Sequence, residues 1–228
     1  MNKGSNMYSF IDKTRNYLGG ECKHKCSYCY VNSMKNKFPN LKERYSGEIR
    51  LLDKELLKYE GEGKTIFVQD MGDLFEESVP KEFIIKILNH LKAFDNTYLF
   101  QTKNPKRYFE FQDYFPEKSI LGTTIETSYD DRMKEISKAP LISERRYWMQ
   151  RLKFARIFLT IEPILNFNLE DFVAIIKDIQ PEFVNIGADS KNHNLKEPKK
   201  EKVELLINEL RQFTEVILKD NLNRILKN

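Results

Sequence analysis

After residue 29 this 228-residue chain contains no cysteine. The three it has, Cys22, Cys26 and Cys29, are odd in number and lie within one short loop, which excludes a disulfide framework. No run of about 18 apolar residues occurs, so no membrane-spanning helix is expected. The opening MNKGSNMY lacks the apolar core of a secretory signal. A cytoplasmic protein that does not engage membranes is the expectation. Neither charge sign dominates: 38 Lys and Arg face 34 Asp and Glu, a net charge of +4. That excess tolerates a polyanionic partner without requiring one, and a solvated surface explains it equally well. No linker, low-complexity tract or shift in composition marks a boundary, so one domain over residues 1–228 is expected.

What is present suits a globular core. Apolar residues make up 40% of the chain and charged residues 32%, with sixteen Phe and eleven Tyr. Short β-branched and aromatic runs recur at Arg15–Gly19, Thr65–Gln69, Thr97–Gln101, Ser119–Ile125, Arg156–Ile161 and Glu182–Ile186, with a last short run at Glu215–Leu218. Several are nearly continuous in apolar residues, as strands buried on both faces of a parallel sheet are. Helical spacing of apolar residues separates them over Lys81–Phe94, Leu141–Phe154, Leu169–Ile179 and Lys200–Phe213, and Asn104-Pro105 can open a further helix. Strand–helix alternation at roughly 25–35 residues per unit argues for βαβ crossovers. A closed eight-unit barrel needs about 250 residues, so six units and a short seventh favour an α/β fold of the partial (β/α)6 TIM-like barrel type. A doubly wound open sheet is the alternative.

The segment Glu21–Tyr30, ECKHKCSYCY, concentrates the chemistry. Thiolates are soft ligands that suit zinc and iron–sulfur clusters. An electron-carrying 4Fe–4S cluster takes a cysteine at each iron, and here no fourth cysteine exists, which would leave one iron open for chemistry. Zinc held by the three cysteines and His24 is a second reading, though structural zinc sites draw ligand pairs from separated knuckles. Three merely buried thiols are a third.

Ligands of α/β folds gather at the carboxyl ends of the strands. Polar residues stand there in series: Gln69, Asp70, Gly72 and Asp73; Gln101, Thr102 and Lys103; Thr123, Thr124 and Glu126; Glu162; Asp189 and Ser190; Lys219 and Asp220. Any single one is an ordinary strand-to-loop transition. The set is what a ligand-filled mouth needs.

The Cys-x3-Cys-x2-Cys spacing, with Tyr28 just before the last cysteine, resembles the radical S-adenosylmethionine superfamily. The resemblance implies that Cys22, Cys26 and Cys29 ligate a 4Fe–4S cluster. It further implies that the open iron binds S-adenosylmethionine, which an electron from an external one-electron reductant cleaves to methionine and a 5′-deoxyadenosyl radical. It places Tyr28 near the cluster and adenine. FVQDMGDLFE, residues 67–76, stands where such enzymes hold the methionine amino group, making Asp73 the first candidate, Asp70 the second and Gly72 the glycine of the motif. Thr124 and Glu126 occupy the usual ribose-binding place, where a carboxylate can accept from both hydroxyls. Lys103 would neutralise the S-adenosylmethionine carboxylate, and Glu162 belongs to the same set.

Further stretches are similar to a narrower group of short, often phage-associated radical S-adenosylmethionine proteins of undefined function, distantly similar to spore photoproduct lyase. They are Cys26–Tyr30, Asp73–Phe75 with Val79-Pro80, Thr102–Pro105, Arg156–Leu165, Asn185–Ser190 and Val216–Lys219. Ala188-Asp189 departs from the Gly-Glu expected there. The resemblance makes nucleic acid a candidate substrate. No cysteine outside the cluster can donate hydrogen; Tyr129, Tyr147 or another tyrosine could serve instead, and nothing in the sequence selects one. Two readings of other classes stand beside an enzyme: a zinc-binding adaptor, and an iron–sulfur electron carrier or sensor.

Overall fold

The computed structural model describes residues 8–154, 156–191 and 193–227. In chain order its strands and helices are β1 (Lys13–Arg15), β2 (Leu18–Gly19), α1 (Tyr30–Lys37), α2 (Pro39–Arg44), β3 (Arg50–Leu51), β4 (Thr65–Val68), α3 (Lys81–Leu91), β5 (Thr97–Thr102) and β6 (Ser119–Thr124). There follow α4 (Asp130–Ile136), α5 (Ile142–Met149), β7 (Ile157–Ile161), α6 (Leu169–Ile179), β8 (Phe183–Ile186), α7 (Lys200–Leu210), β9 (Glu215–Leu218) and α8 (Asn223–Leu226). Seven strands form one sheet in the order β1-β4-β5-β6-β7-β8-β9. The pairings of β1 with β4, β4 with β5, β7 with β8 and β8 with β9 are parallel. The sheet is open, with β1 and β9 at its edges, as in a partial TIM-like barrel. Among the described residues no helix is long and apolar enough to cross a membrane.

The chain divides into two compact units, residues 1–23 with 30–121, and residues 24–29 with 122–228. The first is built around aromatic rings. Phe75 meets Tyr108 edge-on at 4.8 Å between centroids, and Phe100, Phe111 and Phe115 complete the cluster. Asn104-Pro105 opens a 3-10 run, Pro105–Tyr114, interrupted at Phe111. Its Arg107, buried, donates to the carbonyls of Glu76 and Val79 and so ties down the loop after β4.

The expected first strand, Arg15–Gly19, is divided in two. Arg15 belongs to β1, whereas Leu18 and Gly19 pair with β3 in an antiparallel ribbon. The cause is Gln69. Its backbone N–H closes the parallel ladder on the Arg15 carbonyl at 2.7 Å. Its side-chain oxygen then accepts the N–H groups of Tyr17 and Leu18, each at 3.0 Å. Those donors are satisfied off the sheet, so the chain peels away from β4 at this point.

The second unit mixes aliphatic and aromatic side chains in its core: Leu159 and Ile161 of β7, Val184 and Ile186 of β8, and Ile175 and Ile176 of α6 are buried beside the ring pairs Phe158–Phe183 and Phe167–Phe172. Helix α6 spans the expected residues because both ends are signalled. Asn168 caps it by accepting the Asp171 N–H at 3.1 Å, and Gln180 ends it in a left-handed conformation. The other expected helices stop earlier, α3 at Leu91, α5 at Met149 and α7 at Leu210. The short run at Glu215–Leu218 is a true strand, paired with β8 from Phe183↔Glu215 to Ile186↔Leu218.

Candidate functional site

In the first unit, the turn before Cys22 is set by Gly20, which has φ +93°; a Cβ there would lie 2.2 Å from the Glu48 carbonyl oxygen. Gly20 donates to Arg44 O and Glu21 to Gly47 O, at 2.9 and 3.0 Å. Arg50 holds the same ribbon by donating to the carbonyls of Glu43 and Arg44, at 3.1 and 3.0 Å. These contacts place Cys22 on the wall of a small hollow, about 20 Å³, with Gly19, Gly20, Gln69, Gly72 and Asp73. Cys22 is thus brought together with Gly72 and Asp73, which lie far from it in sequence.

Asp73 caps two backbone donors: Oδ1 accepts the Phe75 N–H at 2.9 Å and Oδ2 the Lys103 N–H at 2.8 Å. Asp70 accepts from the Asn16 amide at 2.5 Å, and Tyr30 donates to the Asp70 carbonyl at 2.6 Å. Asn16 in turn accepts the Met71 N–H at 2.9 Å. Tyr30, beside the last cysteine, and Asn16 therefore fix the loop after β4, a part the sequence did not assign to either.

In the second unit, the loop carrying Cys26 and Cys29 is clamped by the segment joining α4 to α5. Ser27 donates to Ile136 O at 2.8 Å, and Lys138 donates to His24 O at 2.7 Å. The Ser137 hydroxyl lies 3.1 Å from the Cys26 sulfur. Tyr28 donates to Glu126 Oε1 at 2.5 Å, and Arg145 donates to Glu126 Oε2 at 2.8 Å. Arg145 also reaches the carbonyls of Thr124 and Pro140, at 2.9 and 2.7 Å. Both Glu126 and Arg145 are fully buried. Burial, reinforced by the Glu126 charge, holds the Tyr28 phenol well above its ordinary pKa, so it remains a protonated donor.

Glu162, after β7, is neutralised by Lys219 at 2.5 Å and accepts from the Asn221 amide at 2.7 Å. The approach depends on Gly187, where a Cβ would stand 2.8 Å from Glu162 Oε1. Asp189 accepts the backbone N–H groups of Lys191 and His193, and these bonds with the His193 ring outweigh desolvation and hold its pKa below the usual aspartate value.

Sequence reasoning did not single out Arg145 or Ser137. The signal for Arg145 was a charged residue in the apolar row Ile142, Arg145, Met149 of α5. Ser137 gave none, since 111 positions separate it from Cys26.

None of the three cysteines is in a disulfide; Cys26 is buried and the others are half-buried. Among the described residues no three His, Cys, Asp or Glu side chains are grouped to hold a metal ion. A cluster, unlike a single ion, takes each thiolate at a different iron. Three soft sulfurs on one short loop, with no fourth in the chain, are the donor chemistry of a cluster with one open iron.

Residues 6–177 match the model of a family described as protein of unknown function (DUF5131). The chain belongs to this family. The matched stretch holds the cysteine loop, Glu126, Arg145 and Glu162, whereas Lys219 and Asn221 lie beyond it. No curated protein matches the chain. Its fold is shared with spore photoproduct lyase. A variant of that lyase with bound AdoMet and dinucleoside spore photoproduct matches at TM-score 0.64 and 12% identity, over 89% of this chain and 74% of the other. The lyase complexed with dinucleoside spore photoproduct matches at TM-score 0.60 and 11% identity, over the same shares. Streptococcus suis SuiB bound to precursor peptide SuiA matches at TM-score 0.54 and 11% identity, over 92% of this chain and 49% of the other. At these identities the likeness to the solved structures is one of fold.

Proposed function

We propose that this family member is a radical S-adenosylmethionine enzyme, acting as one domain over residues 1–228 in the cytoplasm. The observation that carries the reading is the donor set: three cysteines in one loop, none in a disulfide, and no fourth in the sequence, in a fold shared with a lyase solved with AdoMet. Cys22, Cys26 and Cys29 hold a 4Fe–4S cluster. Bound there, and given one electron by an external reductant, the cluster supplies the cleavage of S-adenosylmethionine to methionine and a 5′-deoxyadenosyl radical, which takes hydrogen from a substrate.

The remaining residues bind and orient. Gly72, on the same wall as Cys22, marks the place of the methionine end, and Asp73, with Asp70 behind it, takes the amino group. Lys103, whose backbone is fixed by Asp73, balances the carboxylate. Tyr28 keeps the loop backbone beside adenine. Glu126 already accepts from Tyr28 and Arg145, so its part is to orient Tyr28, and the ribose contact falls to Thr124. Glu162, its charge balanced by Lys219, completes the strand-end set without adding net charge. Nucleic acid is the favoured substrate class, on the likeness to a lyase solved with a dinucleoside.

The test is anaerobic reconstitution followed by incubation with S-adenosylmethionine and dithionite, with chromatography for 5′-deoxyadenosine. Its formation, lost in Cys26→Ala, is expected. A loaded cluster that neither binds nor cleaves S-adenosylmethionine would make the protein an electron carrier or sensor. Stoichiometric zinc without sulfide would make it a zinc adaptor.

A further inference from the structure

We propose that Ser137 is the residue that sets the reduction potential of the cluster, by donating a hydrogen bond to the Cys26 sulfur; the inference rests on the cluster assignment above. The hydroxyl oxygen lies 3.1 Å from Cys26 Sγ, a normal distance for a bond to sulfur. A hydroxyl has one proton, and two acceptors compete for that of Ser137: the Cys26 sulfur and the His24 carbonyl at 3.3 Å.

The surrounding bonds decide the competition. The His24 carbonyl already accepts the Lys138 N–H at 2.7 Å, closer than the Ser137 hydroxyl at 3.3 Å or the Cys26 thiol at 4.0 Å. That thiol proton is lost once the sulfur binds iron. The Ala139 N–H donates to the Ser137 oxygen at 3.1 Å, which occupies a lone pair and leaves the proton to be given. A cysteine bound to iron is a thiolate, an acceptor that carries charge, and a charged acceptor outcompetes a carbonyl that is already served. Cys26 is also the buried cysteine of the three, so water is the weakest competitor at this sulfur.

The functional consequence has a sign. Reduction adds one negative charge to the cluster, part of which resides on the ligating sulfurs. A hydrogen bond to a sulfur stabilises the more negative state more, and so raises the potential. Ser137 therefore makes the cluster easier to reduce, and the segment between α4 and α5 serves to tune electron entry as well as to clamp the loop.

The experiment is an EPR-monitored redox titration of anaerobically reconstituted protein, comparing wild type with Ser137→Ala and Ser137→Thr. Ser137→Ala should shift the one-electron equilibrium roughly tenfold toward the oxidised cluster, a fall of about 59 mV. Ser137→Thr, which keeps the hydroxyl, should titrate like wild type. An alanine variant that holds a full cluster at the wild-type potential would overturn the proposal and leave the enzyme reading intact. Should Ser137→Ala fail to retain its cluster, Ser137→Gly, which also removes the hydroxyl and adds no metal ligand, carries the same titration; an unchanged potential there overturns the proposal. Wild-type protein that assembles no cluster would overturn both.

Discussion

Glu60 and Glu126 are both fully buried carboxylates, each held by a tyrosine hydroxyl and an arginine, yet they do opposite kinds of work. Glu60, in the first unit, accepts from Tyr17 at 2.8 Å, Arg15 at 2.7 Å and Lys13 at 2.7 Å. It ties β1 to the segment that leads into β4, on the amino-end side of that strand. Glu126, in the second unit, follows β6 and reaches into the cysteine loop through Tyr28. The cations differ too: Lys13 and Arg15 are 20% and 27% exposed, whereas Arg145 is not exposed at all. A buried ion pair does not by itself mark a functional site; its place relative to the strand ends and the cysteines does.

The largest expected effect comes from removing one half of the sealed pair. Glu126→Ala leaves Arg145 charged with no path to water, and should cost about 3–5 kcal/mol in denaturant unfolding. Combining it with Arg145→Met should restore most of that stability, because two apolar residues replace an expensive ion pair. The double variant should still bind iron less completely than wild type, since Tyr28 has lost its acceptor. Full stability with full iron content would show that the Tyr28 bond is dispensable. Glu60→Ala should cost less, about 1–3 kcal/mol, because Lys13 and Arg15 can turn toward solvent. Equal losses at the two positions would erase the distinction drawn between them.

Acid sharpens the same contrast. Desolvation pushes the Glu60 pKa up, but the bonds from Lys13, Arg15 and Tyr17 outweigh it, so the folded value lies below 4.5. A depressed carboxylate stabilises fully above its unfolded value and loses that contribution as pH falls through the folded one. His90, 4.0 Å from Glu60, is pushed below 6.5 chiefly by desolvation, with Glu60 opposing. It too favours the folded state at higher pH. Stability should therefore decline below about pH 6.5 and again below about pH 4.5, and Glu60→Gln should flatten the second step in urea midpoints against pH.

The smallest effect has the opposite sign. Asn185 in β8 is wholly buried, and neither of its amide atoms has a partner among the described residues. Asn185→Leu, of similar volume, should raise stability by about 1 kcal/mol, visible as a higher Tm. A lower Tm would mean that the amide has a partner in solution.

The sequence made some of this plain and hid the rest for definite reasons. The strand–helix alternation was readable because buried parallel strands are apolar throughout, and α6 because Asn168 and the 3.6-residue period both mark it. The cysteine loop was readable because its spacing is local. The splitting of the first strand was not, since it depends on Gln69 spending its side chain on Tyr17 and Leu18 some fifty residues earlier. Glu126 was noticed as a carboxylate, but its commitment to Arg145 depends on which way α5 turns. Ser137 and Cys26 meet only after folding, and no pattern of period two or 3.6 encodes such a meeting.

Residues 24–29, which carry Cys26 and Cys29, belong by their contacts to the second unit, while the chain on both sides of them, Cys22 included, belongs to the first. The polypeptide therefore crosses over and returns within a few residues, long before the rest of the second unit has been made. A ribosome that has reached Leu121 has already synthesised all three thiols. It has yet to supply Glu126, Ile136, Ser137 and Lys138, which hold the loop still. A truncated product ending there would hold Cys22 in the first unit but leave Cys26 and Cys29 on an untethered loop. Loading of the proposed cluster in the cell is therefore expected to wait for the second half of translation.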